Sequence, residues 1–169
     1  MIHIYCGDGK GKTTAAAGLA VRCAGAGLKA AFFQFLKDGT SSEIGPLRKL
    51  GIRVRCCKEC SKFVFEMSPE EKSAAALAQD SMLREAESLL REGFDMIVLD
   101  EFFGALTTGT LTYEAAKRFV EDFPVSAELV LTGRDPDRFF LDKADYISQI
   151  HALAHPYDKG VPARRGIEF

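Results

Sequence analysis

The segment Gly7-Asp8-Gly9-Lys10-Gly11-Lys12-Thr13-Thr14 constrains this chain more than any other. It stands between a short apolar run, Ile2–Cys6, and a stretch rich in small residues, Ala15 to Ala26, so the local order is strand, glycine loop, helix. Glycines at alternate positions keep side chains out of the loop and let consecutive backbone N–H groups converge on phosphate oxygens. The helix that follows adds about half a positive charge at its N-terminus. Against the pattern G-x-x-x-x-G-K-[ST], Gly11-Lys12-Thr13 fits and Cys6 stands where the opening glycine belongs. Lys12 is the candidate for neutralising β- and γ-phosphates, and Thr13 for ligating Mg²⁺. Gly7, Asp8, Gly9, Lys10, Gly11 and Thr14 complete the candidate nucleotide cradle. The alternative is a glycine-rich turn with solvated lysines.

The rest of the chain repeats the alternation of strand and helix. Ala30 to Leu36 and Ile52 to Cys56 read as strands, with a short helix around Ile44 to Leu50 between them. Ser68-Pro69-Glu70-Glu71 is a capping box with proline at the first helical position, and predicts a long helix to Arg91 that stops at Gly93. Met96 to Leu99 is a strand entering Asp100-Glu101. Helices near Tyr113 to Glu121 and Pro136 to Lys143 flank a strand at Leu129 to Leu131, and Tyr146 to Ile150 reads as the last strand. Such alternation predicts an α/β fold: a mostly parallel central sheet with helices on both faces, a three-layer sandwich of the P-loop NTPase type. With no repeat or linker in 169 residues, residues 1–169 are expected to form a single domain.

Charge narrows the partners. Lys plus Arg number 22 and Asp plus Glu 24, a net −2 that argues against a general nucleic-acid or membrane-surface binder. Residues 1–60 nevertheless carry +6 and the remainder −8, which directs an anionic ligand to the N-terminal third. The most apolar stretch, Ala15 to Leu36, is interrupted by Arg22, Lys29 and Gln34, short of the roughly 20 apolar residues of a membrane span. No signal-peptide pattern precedes the first strand, and five cysteines point to free thiols in a reducing, cytoplasmic setting.

A phosphate loop of this kind works with an acidic residue at the end of a neighbouring strand that supports the metal. Asp100 meets that need, with Glu101 beside it; the other reading is a strand ending at a solvated edge. Thr132-Gly133-Arg134 follows the penultimate strand, where loops meet ligands in such folds, and makes Arg134 either a phosphate contact or a surface arginine in a turn.

Gly7 to Thr14, Gln34-Phe35-Leu36-Lys37, Leu99-Asp100-Glu101, Thr132-Gly133-Arg134, Ala144-Asp145, His155-Pro156-Tyr157-Asp158-Lys159-Gly160 and Arg165-Gly166-Ile167-Glu168-Phe169 occur in order along the whole chain. Together they resemble the ATP:corrinoid adenosyltransferases of the P-loop type. The resemblance implies attack of a Co(I) corrinoid on C5′ of ATP with release of triphosphate, an electron from a reduced flavoprotein, and a homodimer. It places Lys12, Asp100 and Glu101 in the reaction, Thr13 and Asp100 at Mg²⁺, and Arg134 at phosphate. Phe63 and Phe65 of Lys62-Phe63-Val64-Phe65 match the family's aromatic pair, with Phe65 in place of a tryptophan, and His155 is a candidate contact to a corrinoid amide. Phe103 stands where relatives often carry Asn or Thr, and Gln149 where the family has a glutamate, so polar contacts to ligand are expected to differ. The family's N-terminal extension over the corrinoid has no counterpart before the first strand, so that lid is expected to be dispensable or supplied otherwise.

Cys56-Cys57-Lys58-Glu59-Cys60 contains a C-x-x-C with no second ligand pair to complete a zinc site, and is read as free thiols in a mobile loop, with metal or redox chemistry as the alternative. His3 is read as a satisfied core histidine, and no structural metal is expected. Two other function classes stay open: a P-loop kinase or NTPase that transfers the γ-phosphoryl group, and a non-catalytic carrier or regulator that binds ATP and corrinoid.

Overall fold

A computed structural model describes residues 1–168; Phe169, the end of the closing motif, lies outside the described residues. Six strands form one sheet: β1 (Ile2–Cys6), β2 (Ala30–Gln34), β3 (Arg53–Cys56), β4 (Met96–Asp100), β5 (Glu128–Thr132) and β6 (Tyr146–Gln149). Their spatial order is β3-β2-β4-β5-β1-β6, and all five pairings are parallel, so the expectation of a mostly parallel sheet is met in full. Six helices cover it: α1 (Lys12–Gly25), α2 (Ile44–Lys49), α3 (Pro69–Arg91), α4 (Phe102–Thr107), α5 (Tyr113–Glu121) and α6 (Arg138–Lys143).

Strand pleating splits the core in two. Phe32, Val98 and Val130 face one side and meet Ala16, Ala17 and Ala20 of α1 with Ile44 and Leu47 of α2. Their chain neighbours Phe33, Leu99 and Leu131 face the other side and meet Met82, Leu83 and Ala86 of α3, Phe102 and Phe103 of α4, and Phe119 of α5. The alanines of α1 allow that helix to lie close on the bulky central strands. α3 begins as its sequence predicts: Ser68 Oγ accepts from Glu71 N–H, Glu71 accepts from Ser68 N–H, and Pro69 occupies the first turn. Its buried positions, Ala75, Gln79, Met82, Leu83, Ala86 and Leu89, follow helical spacing.

Several boundaries differ from the sequence reading. The helix expected near Pro136 starts at Arg138, because Asp137 caps it by accepting from Phe139 N–H at 2.9 Å. The sequence reading contains no α4. The cysteine segment keeps its thiols free in a loop, as expected, but packed rather than solvated: Cys56, Cys57 and Cys60 are all buried, with Cys57 N–H donating to Gln34 O and Cys60 N–H to Cys57 O. His3 is half-buried and satisfied by Glu128 at 2.7 Å. Because every strand runs the same way, Cys6, Gln34, Asp100, Thr132 and Gln149 all end on one edge, the edge where parallel sheets bind ligands.

Candidate active site

The phosphate loop leaves that edge from β1. Cys6 is buried at the end of the strand, in register with Gln149, so the sharp turn falls one residue later, at Gly7 with φ +104°. A Cβ on Gly7 would collide with the Ile150 carbonyl oxygen, and one on Gly9 would sit 2.8 Å from Ile150 Cγ2 and the His151 carbonyl carbon. Glycine at both positions therefore lets the loop pack against the chain leaving β6, where Gly9 N–H donates to Ile150 O at 2.8 Å. Gly7 N–H donates to Arg134 O at 3.1 Å, which fixes the turn after β5 to the loop. Asp8, exposed, accepts from Ala152 N–H at 3.4 Å. Gly11 caps α1 with no side-chain hydrogen bond, leaving the helix N-terminus open to an anion. Lys12 folds back over the loop, its Nζ donating to Gly9 O at 2.8 Å. Burial pulls the Lys12 ammonium below its usual value, with Glu101 opposing and Arg134 reinforcing that effect. Lys10 is exposed.

Beside the loop stands an acidic centre. Asp100 is fully buried: Oδ1 accepts from Thr132 Oγ1 at 2.8 Å, and Oδ2 accepts from Gln34 Nε2 at 3.2 Å and from Lys37 Nζ at 3.4 Å. This excludes a solvated strand edge. Glu101 takes a left-handed backbone, φ +59°, and its N–H donates to Thr132 Oγ1 at 2.9 Å. Burial, then the adjacent Asp100 carboxylate, push the Glu101 carboxyl above its usual value. Lys37 lies 4.0 Å from Glu101 Oε1 as well; burial opposes its charge, but Asp100 and Glu101 more than offset that, and its ammonium titrates above the usual value. Gln34 also donates to Glu43 at 3.1 Å, while its Oε1, buried, has no partner. Gln34 and Lys37 belong to a motif visible in the sequence, but their bonds to Asp100 join residues 63 or more positions apart. Thr132 was likewise legible only as part of a turn.

A cleft of ≈ 770 Å³ adjoins this centre, with Thr13, Thr14, Lys37, Glu43, Phe63 and Glu168 in its lining. Near the chain end the Arg164 guanidinium and N–H both bind Glu168 and close a local turn. Phe63 and Phe65 lie outside the strands of the sheet. They flank Val64 at a 3-10 turn, stack with ring centroids 5.4 Å apart, and are 70% and 80% exposed. His155 stands apart from these groups, in a C-terminal turn where its Nδ1 accepts from Tyr157 N–H at 3.2 Å. Among the described residues, no three His, Cys, Asp or Glu side chains gather as a metal cluster.

A parallel α/β sheet with a glycine-rich loop at a helix N-terminus and a buried aspartate at the end of a neighbouring strand is the arrangement of the phosphate-loop NTPase-like fold class. Comparison with known proteins narrows the class. The family model described as ATP:corrinoid adenosyltransferase BtuR/CobO/CobP matches residues 1–169, and the chain belongs to that family. The corrinoid adenosyltransferase of Escherichia coli (strain K12) is 31% identical over 172 residues, which cover all of this chain and 85% of that protein. Corrinoid adenosyltransferase CobA of Salmonella typhimurium (strain LT2) is 33% identical over 174 residues, with the same two shares. The corrinoid adenosyltransferase of Pseudomonas aeruginosa is 27% identical over 170 residues, covering all of this chain and 83% of that protein.

Proposed function

We propose that this enzyme transfers the 5′-deoxyadenosyl group of MgATP to the Co(I) of a corrinoid and releases triphosphate. The observation that carries the reading is the joint cleft: Thr13 and Thr14 at the start of α1 and the exposed Phe63, on which Phe65 stacks, border one cavity, so a polyphosphate and a large flat apolar ligand can meet there. In the reaction the cobalt electron pair forms a Co–C5′ bond as the C5′–O bond breaks, and the charge goes to the triphosphate. Co(I) is itself a strong nucleophile, so the protein has no proton to remove; its task is to orient C5′ and hold the leaving group.

Gly7 and Gly9 donate their N–H groups to the Arg134 and Ile150 carbonyls, so it is the N–H groups at the N-terminus of α1, with Lys12, that bind the polyphosphate and stabilise the charge that develops on it. Arg134, tied to Gly7 through its carbonyl, adds a cation at the same rim. Thr13 Oγ1 and the Asp100 carboxylate are hard oxygen donors suited to Mg²⁺, and Gln34 Oε1 supplies an unmet acceptor of the kind a metal-bound water donates to. When bound, Mg²⁺ would neutralise part of the polyphosphate charge. Thr132, Gln34 and Lys37 hold Asp100 in place, and Glu101 keeps Lys37 between two carboxylates. Phe63 and Phe65 provide an apolar face for the corrinoid, where water and a lower axial ligand are excluded. His155 is assigned the periphery of that ligand, as a contact to a corrinoid amide.

The six strands in one sheet support reading residues 1–169 as one domain. The family likeness supports a homodimer in the cytoplasm, served by a reduced flavoprotein; among the described residues no helix is long and apolar enough to cross a membrane. The test is spectrophotometric. Chemically reduced corrinoid with MgATP should give the spectrum of a cobalt–carbon bond and one triphosphate per adenosyl group. Release of ADP would instead assign a γ-phosphoryl transferase, and binding of both ligands with no alkylation would assign a carrier.

A further inference from the structure

Cys57 and Cys60 take no part in the chemistry above, yet they are built as a pair. Their sulfurs are 2.8 Å apart and share a hydrogen bond. Cys60 N–H donates to Cys57 O at 3.0 Å, a tight turn that brings the two backbones within disulfide reach. Gln79, fully buried on α3, aims its Nε2 at both sulfurs, 3.4 Å from Cys60 and 3.9 Å from Cys57, and its Oε1 is held by Thr110 Oγ1 at 3.1 Å. An amide fixed in this way solvates a thiolate without being able to move away from it. Cys60 also lines the ≈ 770 Å³ cleft and is followed directly by Ser61, Lys62 and Phe63 of the same wall. The other cysteines, Cys6, Cys23 and Cys56, are buried and free.

We propose that Cys57 and Cys60 form a redox-modification site, closing a reversible disulfide by exchange with a small-molecule disulfide, and that closure shifts the cleft wall at Ser61 to Phe63. The Cys60 thiolate attacks one sulfur of the small disulfide, breaking its S–S bond and releasing one thiol. Cys57 then gives up its proton and attacks Cys60 Sγ in the mixed disulfide, which expels the second thiol. The two protein sulfurs are oxidised together and the small disulfide is reduced to two thiols. The Cys57 hydrogen bond, then the Gln79 amide, hold the Cys60 thiol below its usual value, while the same bond and burial push Cys57 up. That ordering makes Cys60, on the cleft side, the entry point and Cys57 the resolving thiol. Closing the bond draws the sulfurs together by less than about 1 Å. It also weakens them as acceptors for Gln79, so the change is felt both on α3 and along Ser61 to Phe63.

The test uses the full chain, native, with glutathione disulfide as the probe. After quenching by alkylation, peptide mass spectrometry should find the Cys57–Cys60 peptide short of two hydrogens, reversed by dithiothreitol, while Cys6, Cys23 and Cys56 remain alkylated. Cys57→Ser should instead accumulate glutathione on Cys60. A wild-type chain that stays fully alkylated at both positions, or stops at a glutathione adduct, overturns the pair. Trypsin cleavage after Lys62, timed on reduced and oxidised chain, should differ several-fold; equal rates overturn the wall movement. Neither readout depends on adenosylation, so an inactive reduced enzyme would count against the proposed function and leave the thiol result standing.

Discussion

Replacing Thr132 by valine tests the acidic centre with almost no change of shape. Thr132 is 1% exposed, and its Oγ1 serves two neighbours at once, donating to Asp100 Oδ1 at 2.8 Å and accepting from Glu101 N–H at 2.9 Å. Valine fills the same space, so no cavity opens, but a buried carboxylate oxygen and a backbone N–H lose their partner together. An orphaned buried polar group costs about 1–3 kcal/mol, more when charged, which puts the pair near 3 kcal/mol. For a chain of this size each kcal/mol moves Tm by about 2–4 °C, so Thr132→Val should melt about 6–12 °C lower. Urea unfolding should show the same loss as a lower midpoint at unchanged slope. Thr132→Ser keeps the oxygen and should recover most of the loss. In a cycle with Asp100→Asn the two changes should couple by about 0.5–3 kcal/mol, since they share one hydrogen bond. A loss below about 1 kcal/mol, strict additivity, or a serine variant no better than valine would refute the view that Thr132 holds Asp100 in position.

Lys12→Ala should keep the wild-type melting temperature within a few degrees while adenosylation falls by about 10²–10³-fold, the scale of one lost donor to developing charge; activity within tenfold of wild type would move the leaving group elsewhere. Ser68→Ala, at the α3 cap and not among the residues that line the cleft, should cost about 1 kcal/mol through the lost cap and leave turnover alone, as parallel melting and rate measurements would reveal. Glu101 carries a carboxyl raised in the folded state, so its ionisation opposes folding and stability declines as pH climbs from the usual 4.5 towards neutrality. Glu101→Gln should remove that decline and raise Tm at neutral pH while lowering activity; an unaltered profile of Tm against pH contradicts it. Glu168 has the opposite sign: the Arg164 hydrogen bonds hold it at about 2, so its grip on the C-terminal turn persists above 4.5 and is released as pH falls towards 2. An NMR titration of Glu168 with a midpoint near 4.5 would show that the grip is absent.

The fold was legible where one local rule decided the outcome. The capping box placed α3, the glycine loop placed β1 and α1, and short apolar runs placed the strands. α4 escaped because Phe102–Thr107 spans six residues, too few for a helical period, and follows a left-handed Glu101 with no side-chain cap. Burial of Phe102, Phe103 and Ala105 against β5 and α6 forms it, and that is a tertiary cause. The cysteine segment is a loop of free thiols, as its composition reads, and only the packing of α3 shows that Gln79 and the sulfurs bury one another.

The site divides along the same line. Each member of the acidic centre was visible in a short motif, but what the motifs do for one another depends on the register of parallel strands. Pairing of Gln34 with Asp100 in the sheet sets the amide beside the carboxylate, and the alignment of β5 with β4 brings Thr132 to the same carboxylate from the other side. The result leaves an acceptor, Gln34 Oε1, buried without a partner and keeps two carboxylates close around Lys37. Neither feature helps the fold by itself: an unmet buried acceptor and crowded like charges both cost stability. A site that bound nothing would relax under substitution towards apolar residues, since such replacements are often neutral or stabilising. The arrangement fits the proposed reading, in which a hydrated cation and a polyphosphate complete it, and on that reading stability gained at Glu101 and activity lost there should travel together.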